Sequence, residues 1–313
     1  MNNNPKESVT MSNVAKIKVS DSLTTSAPSI ASAAMLVELS ISVWTGRKKD
    51  RNASKDVTTR AGADEAAANV TKKLLGDCEE LTALQKFAAN LRNRHYHHTM
   101  PWSNSGLRLI PTALYFGYHE EMTGAQSEFY KLVEDFIASY QWEVSRAQVK
   151  LGSLFNQDDY PSADSLRRKF AFSLNYMPLP SAGDFRVDVG NEQAAALQEQ
   201  YESFYTKQIE RAMQDVWQRT YEVLARMSER LDYAGKDDRK KFHDSLVGNV
   251  LEMVDLLEAC NVTDNSDMQA MQRKLKLALT DVTPDKLRVN DSLRIETKKK
   301  IDEAIAALPS WDD

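Results

Sequence analysis

Apolar residues recur along most of this chain at three- and four-residue spacings. Met122, Ala125, Phe129, Leu132, Phe136, Tyr140, Ala147 and Leu151 form one near-heptad stripe. Leu197, Tyr201, Phe204, Ile209, Met213, Val216, Val223, Met227 and Leu231 form a second. Such spacing returns to one face of an α-helix at every turn. Two long helices are therefore predicted, the second over 192–232 and roughly 60 Å long at ~1.5 Å per residue. Stripes of this length pair within a chain or with another copy. The expectation is an antiparallel helical hairpin, or coiled coil, with a homo-oligomer as its alternative. A further helical pattern covers 64–95, through Ala66, Val70, Leu74, Leu81, Leu84, Phe87, Ala88 and Leu91, broken at Gly76-Asp77. Shorter helices are predicted near 242–259, 267–279 and 291–308.

Two segments change period. Val37, Leu39, Ile41 and Val43 alternate with Glu38, Ser40 and Ser42, which is the pattern of a half-buried strand over 36–44. Phe170, Phe172, Leu174 and Tyr176 alternate in the same way, turn through 178–184, and resume with Phe185, Val187 and Val189. A hairpin over 170–189 is predicted, and a lone hairpin is marginal in water. The strand at 36–44 is its expected partner. The fold class expected is thus mainly α with a small antiparallel β element and a C-terminal helical region. The domains expected are a disordered tail at 1–34, an elongated helical domain with a β tip at 35–234, and a helical region at 235–313. Asn, Ser and Thr fill 14 of the first 34 positions, too polar a stretch to offset its ordering entropy.

Composition sharpens this picture. The chain has 313 residues with 42% hydrophobic and 27% charged, enough apolar material for a core. Only 11 Gly and 9 Pro occur, which favours long helices over many short strands. Cys78 and Cys260 form neither a metal-binding pair nor a disulfide framework, so a reducing, cytoplasmic setting is expected. The longest apolar run near the start, around 33–37, is far short of the ~20 residues that span a bilayer, and no membrane partner is expected.

Charge is uneven. The total is −5, from 45 acids and 40 bases. Yet Arg47, Lys48, Lys49, Arg51, Lys55 and Arg60 face only Asp50 and Asp56 within one stretch, a net of +4 that leaves −9 elsewhere. Bases neutralise phosphate, and an adjacent aromatic such as Trp44 stacks on unpaired bases. The candidate nucleic-acid-binding residues are Trp44, Arg47, Lys48, Lys49 and Arg51, extended by Arg167, Arg168, Lys169 and Arg186 if strand 36–44 pairs with the hairpin. A solvated loop guarding an edge strand explains the same charges. His95, His98 and His119 are the candidate metal ligands, although their spacing matches no defined signature and a helix end also favours basic groups. Asp158-Asp159, Asp184 and Asp188 read as turn formers. HExxH, P-loop, GxGxxG and GxSxG patterns are absent, so hydrolase, kinase and dehydrogenase templates fail and no cofactor is expected.

Three stretches carry a resemblance: Leu39-Ser-Ile-Ser-Val-Trp-Thr-Gly-Arg-Lys-Lys-Asp; His95-Tyr with Met100-Pro-Trp-Ser and Arg108-Leu-Ile-Pro; and Asp158-Asp-Tyr-Pro with Ala182-Gly-Asp-Phe-Arg-Val-Asp. Over 36–261 the chain resembles an uncharacterised family of helical proteins shared by tailed phages and bacteria. His97 and His98 depart from that pattern. The resemblance implies a helical protein without an assigned activity, encoded near replication or recombination functions or near a MoxR/CobS-like AAA+ ATPase. It carries over no catalytic residues. The leading expectation is a non-enzymatic interaction or scaffold protein in the cytoplasm of a bacterium or phage-infected host, with a protein partner such as an AAA+ ATPase. An accessory DNA- or RNA-binding protein using the basic stretch at 44–60 comes second, and a metal-dependent enzyme third.

Overall fold

The computed structural model describes residues 30, 32–179, 190–233, 240–241 and 243–309. In chain order the strands and helices are β1 (Ala34–Ser42), β2 (Arg47–Asp50), α1 (Arg51–Arg60), β3 (Val70–Lys73), α2 (Glu79–His98), β4 (Met100–Pro101), β5 (Arg108–Pro111), α3 (Tyr115–Leu151), α4 (Ala163–Arg167), β6 (Ala171–Met177), α5 (Gly190–Leu231), α6 (Ser245–Ala259), α7 (Ser266–Ala278), α8 (Pro284–Val289) and α9 (Asp291–Ile305). The fold is mainly α with a small antiparallel β element, as the periodicities predict.

The chain forms two units that interleave along the sequence. One takes in residues up to 36, 99–114 and from 177 onward; the other takes in 37–98 and 115–176. The larger sheet has strand order β4-β5-β1-β6, with β4 and β5 antiparallel.

In the first unit α5 packs against α9 and α6, and α6 packs against α7. Ile209, Val216, Leu224, Met227 and Leu231 form its buried stripe. Ile30 and Ala34 are buried in the same core, so the last residues of the expected tail are part of the fold.

In the second unit α2 packs against α3. Cys78, just before α2, lies near Glu143 late in α3, while His95 late in α2 meets Tyr118 early in α3. The pair is therefore antiparallel. Glu79 and Glu80 open α2 and His95, His97 and His98 close it, each set complementing the helix dipole. Arg92 Nη2 donates to the Ile41 carbonyl at 2.7 Å and fastens α2 to β1.

Two expectations need correction, and a third reaches beyond the described residues. The two long stripes do form helices, but α3 takes α2 as its partner, and α5 takes α9 and α6. An apolar stripe defines which face is buried and says nothing about what covers it. The helical pattern over 64–95 is helical only from Glu79; Val70–Lys73 is a strand. β-branched Val70 and Thr71 favour extended backbone there. The first arm of the expected hairpin is β6, and its second arm, with Arg186, lies outside the described residues.

Candidate nucleic-acid interface

The basic stretch is not a loop. Gly46 opens it with φ +61°, and a Cβ at this position would meet Leu81 Cδ2 at 2.9 Å, so glycine is required on both counts. β2 then pairs antiparallel with β3, matching Arg47 to Lys73, Lys48 to Lys72, Lys49 to Thr71 and Asp50 to Val70. Asp50 caps α1 by accepting from the Ala53 amide at 3.0 Å. Ser54 of α1 accepts from the Val70 amide at 2.9 Å, which docks the helix on the ribbon.

Two of these cross-strand pairs place like charges directly opposite, an arrangement that ordinarily destabilises a ribbon. Strand alternation separates them onto two faces. On the inner face Lys48 and Lys72 share Asp159, at 2.6 and 2.7 Å, and Lys72 also reaches Asp50 at 3.3 Å. Lys72 Nζ further donates to the Leu154 carbonyl at 2.7 Å. Its ammonium thus has three acceptors for its three protons. The hydrogen bond with Asp159 raises the Lys72 pKa despite some burial. Burial pushes the Asp159 carboxyl upward, but hydrogen bonds from Lys48 and Lys72 outweigh it and hold the group below the usual carboxylate range.

The outer face carries Arg47, Lys49, Thr71 and Lys73, all exposed. Among the described residues no carboxylate lies within ion-pair distance of Arg47, Lys49 or Lys73, nor of exposed Arg51 at the start of α1. One face of the ribbon is neutralised by the protein, and the other is left cationic.

The structure sorts the sequence candidates accordingly. Arg47, Lys49 and Arg51 belong to the outer cationic surface. Lys48 is committed to Asp159. Trp44 is half-buried, with its ring 6.2 Å from both Phe136 and Tyr140, so it anchors the start of the ribbon to α3 instead of offering a stacking platform. Arg167 is paired with Glu134 at 3.0 Å and Asp164 at 3.2 Å, and Arg168 donates to Ser165 at 3.1 Å. Lys169 is exposed. Lys73 and the anchoring role of Asp159 were missed. The Val70-Thr71 pair preceding Lys72-Lys73 was the available signal for a basic strand.

The histidines are placed separately. His95 Nδ1 shares a buried hydrogen bond with the Tyr118 hydroxyl at 2.7 Å; His98 faces Glu121 at 3.5 Å; and His119 stacks on Tyr115 with Tyr176 at 3.3 Å. Among the described residues they form no metal-ligand cluster. The group with that geometry is Cys78, Glu80 and Glu143, whose ligand atoms lie within 4.8 Å of one another. Here the thiol donates to Glu80 at 3.4 Å and accepts from the Leu81 amide at 3.5 Å, and Arg146 faces Glu143 at 2.7 Å. Burial pushes the Cys78 thiol up to about 11 and Cys260 to about 12. In the absence of a metal ion both buried thiols are therefore held in the neutral form. With a pKa near 11, only about one Cys78 in a thousand is ionised at pH 8. Ellman's reagent is expected to titrate both thiols promptly in denaturant and to react with the native protein only at the rate of unfolding. Prompt reaction of one equivalent in the native state would contradict this.

No helix among the described residues is long and apolar enough to cross a membrane. Comparison of the chain with protein-family models, curated proteins and solved structures finds no match.

Proposed function

We propose that this protein binds nucleic acid through the phosphate backbone, using Arg47, Lys49 and Lys73 on the outer ribbon face and Arg51 beside it. The carrying observation is the in-register Arg47–Lys73 pair on an exposed face with no carboxylate within ion-pair distance among the described residues, next to an inner face where the equivalent Lys48–Lys72 pair is bridged by Asp159. Such a pair costs the fold energy and supplies a rigid row of phosphate contacts in return. Four contacts give a slope of log affinity against log salt of about −3.6 on duplex and about −2.8 on single strands. Anisotropy titrations of the full chain across a salt series test this, together with a variant carrying Arg47→Ala, Lys49→Ala, Arg51→Ala and Lys73→Ala. The wild type is expected to show such a slope and the variant to lose most of it. Undetectable or salt-independent binding would remove the proposal.

A second reading, a protein-interaction role, is favoured by α3. Trp142 and Val149, 62% and 84% exposed, share a helical face with Arg146, whose guanidinium lies 4.6 Å from the Trp142 ring centroid. Aromatic and Arg anchors of this kind are enriched at interfaces. The resemblance stated above makes an AAA+ ATPase the partner to test first.

A further inference from the structure

Beside the ribbon lies an open cavity of about 390 Å³, within the range of small-ligand pockets. It is lined by Lys49 and Arg51, two of the phosphate-contacting residues proposed above, together with Asp50, Lys72 and Asp159 of the ion-pair network. One wall is the start of α1 with Asn52. The other is the 152–156 loop that follows α3, with Ser153, Leu154 and Asn156.

Both walls are held. Lys72 joins them, reaching Asp50 before α1 and, in the segment that follows α3, the Leu154 carbonyl and Asp159. Behind the loop, the Phe155 ring stacks on Tyr160 with centroids 5.1 Å apart, and the Tyr160 hydroxyl donates to the Leu74 carbonyl at 3.0 Å. A cavity with fixed walls spends little ordering entropy on binding.

The lining has the chemistry of a base edge. Among the described residues, the side chains of Asn52 and Ser153 make no hydrogen bond within the protein. Asn156 Oδ1 accepts from the Asp158 amide at 3.0 Å, leaving its two amide protons to donate outward. Leu154, 43% exposed, offers an apolar surface to the face of a ring. Amide side chains present a donor and an acceptor together, as the Watson–Crick edge of an unpaired base requires.

We infer that this cavity receives one unpaired base of a single strand whose phosphates lie on the cationic ribbon face. The inference rests on the phosphate-binding reading and adds a preference for single strands to it. In a duplex the base edges are occupied and stacked, and a base reaches a cavity only by being flipped out. A single strand offers its bases without that penalty.

The test is a set of anisotropy titrations of the full chain at one salt concentration against labelled single-stranded DNA, single-stranded RNA and duplex DNA of about 20 nucleotides, a length exceeding one binding site. The wild type is expected to favour single strands roughly ten-fold, the value of one accommodated base. Ser153→Leu, which narrows the cavity from an exposed position without adding an aromatic face for stacking, is expected to bring this preference near one while leaving duplex affinity unchanged. Asn52→Ala is an independent variant with the same direction and a smaller effect, about three-fold. Equal wild-type affinity for single and double strands, or parallel loss on both in these variants, overturns the cavity inference and leaves the ribbon reading standing. Competition by a free mononucleotide as effective as by the oligonucleotide overturns the strand assignment in favour of a nucleotide site. Failure of the wild type to bind any strand removes both readings.

Discussion

Lys72→Met is expected to lower the stability of the unit that carries the ribbon by about 3 kcal/mol, the low end of the cost of breaking a buried ion pair. Methionine keeps the length and apolar stem of lysine and removes only the charge and its donors. The Lys72 and Asp159 side chains are 10% and 5% exposed, so water does little to replace the lost contact. Lys48 still reaches Asp159 at 2.6 Å, which keeps the effect from being larger. The Leu154 carbonyl also loses its donor, and the 152–156 loop loses its tie to β3.

The pH dependence follows from the directions of the shifts. Asp159 is held below the usual carboxylate range by Lys48 and Lys72. Its contribution is therefore fully present above the unfolded value of about 3.9 and is lost as pH falls through the lower folded value. Lys72 is raised, so its contribution is present below about 10.4 and is lost as pH rises through its higher folded value. The deficit of the variant is expected to be flat between these limits and to vanish only in strong acid or strong base. Denaturant unfolding at several pH values, read through hydrogen exchange at the β2 and β3 amides, checks both parts. Unchanged protection in Lys72→Met would show that the Asp159 cluster adds nothing to the ribbon.

Which parts of this molecule were legible beforehand follows from what periodicity encodes. The stripes beginning at Met122 and Leu197 recur every turn over many turns, and α3 and α5 fall where those stripes place them. The alternation of Val37, Leu39 and Ile41 located β1 equally well. Partners are another matter. The stripe on α3 is compatible with any apolar face of matching length, and in the fold α2 supplies it. Short strands are harder still. Ala66, Val70 and Leu74 lie at helical spacing by coincidence, since Ala66 is exposed, Val70 opens a strand and only Leu74 is buried. The site was half visible for a related reason. A cluster of bases is evident in any sequence, but which of them face an acid depends on Asp159, a residue far along the chain that reads locally as a turn former. The same long-range packing half-buries Trp44, because Phe136 and Tyr140 that flank its ring come from α3.

In the other unit, Arg219→Met is expected to cost about 2 kcal/mol, below the full range for a buried pair because the partners keep partial contact with water. Arg219 of α5 pairs with Asp215 one turn earlier and donates to the Thr99 carbonyl at 2.8 Å. Arg108 of β5 converges on the same residue, donating to Thr99 Oγ1 at 2.6 Å and to its carbonyl at 2.9 Å. Thr99 is fully buried, and through it Arg219 joins α5, and Arg108 joins β5, to the residue between α2 and β4. Burial pushes the Asp215 carboxyl above its usual range, and Arg219 and Arg108 only partly oppose it. A carboxyl raised on folding keeps its proton to higher pH than in the unfolded chain, so it favours the fold in acid and loses that contribution as pH rises through the folded value. Removing Arg219 raises Asp215 further. The deficit is therefore expected to grow with pH above about 4, whereas the Lys72→Met deficit is already constant there. The double variant Arg219→Met with Asp215→Asn separates the two roles of the arginine. Recovery of most of the lost stability at neutral pH identifies the stranded carboxylate as the cost. A double variant as weak as the single one would instead assign the effect to the lost hydrogen bond at the Thr99 carbonyl, with no change in its pH profile.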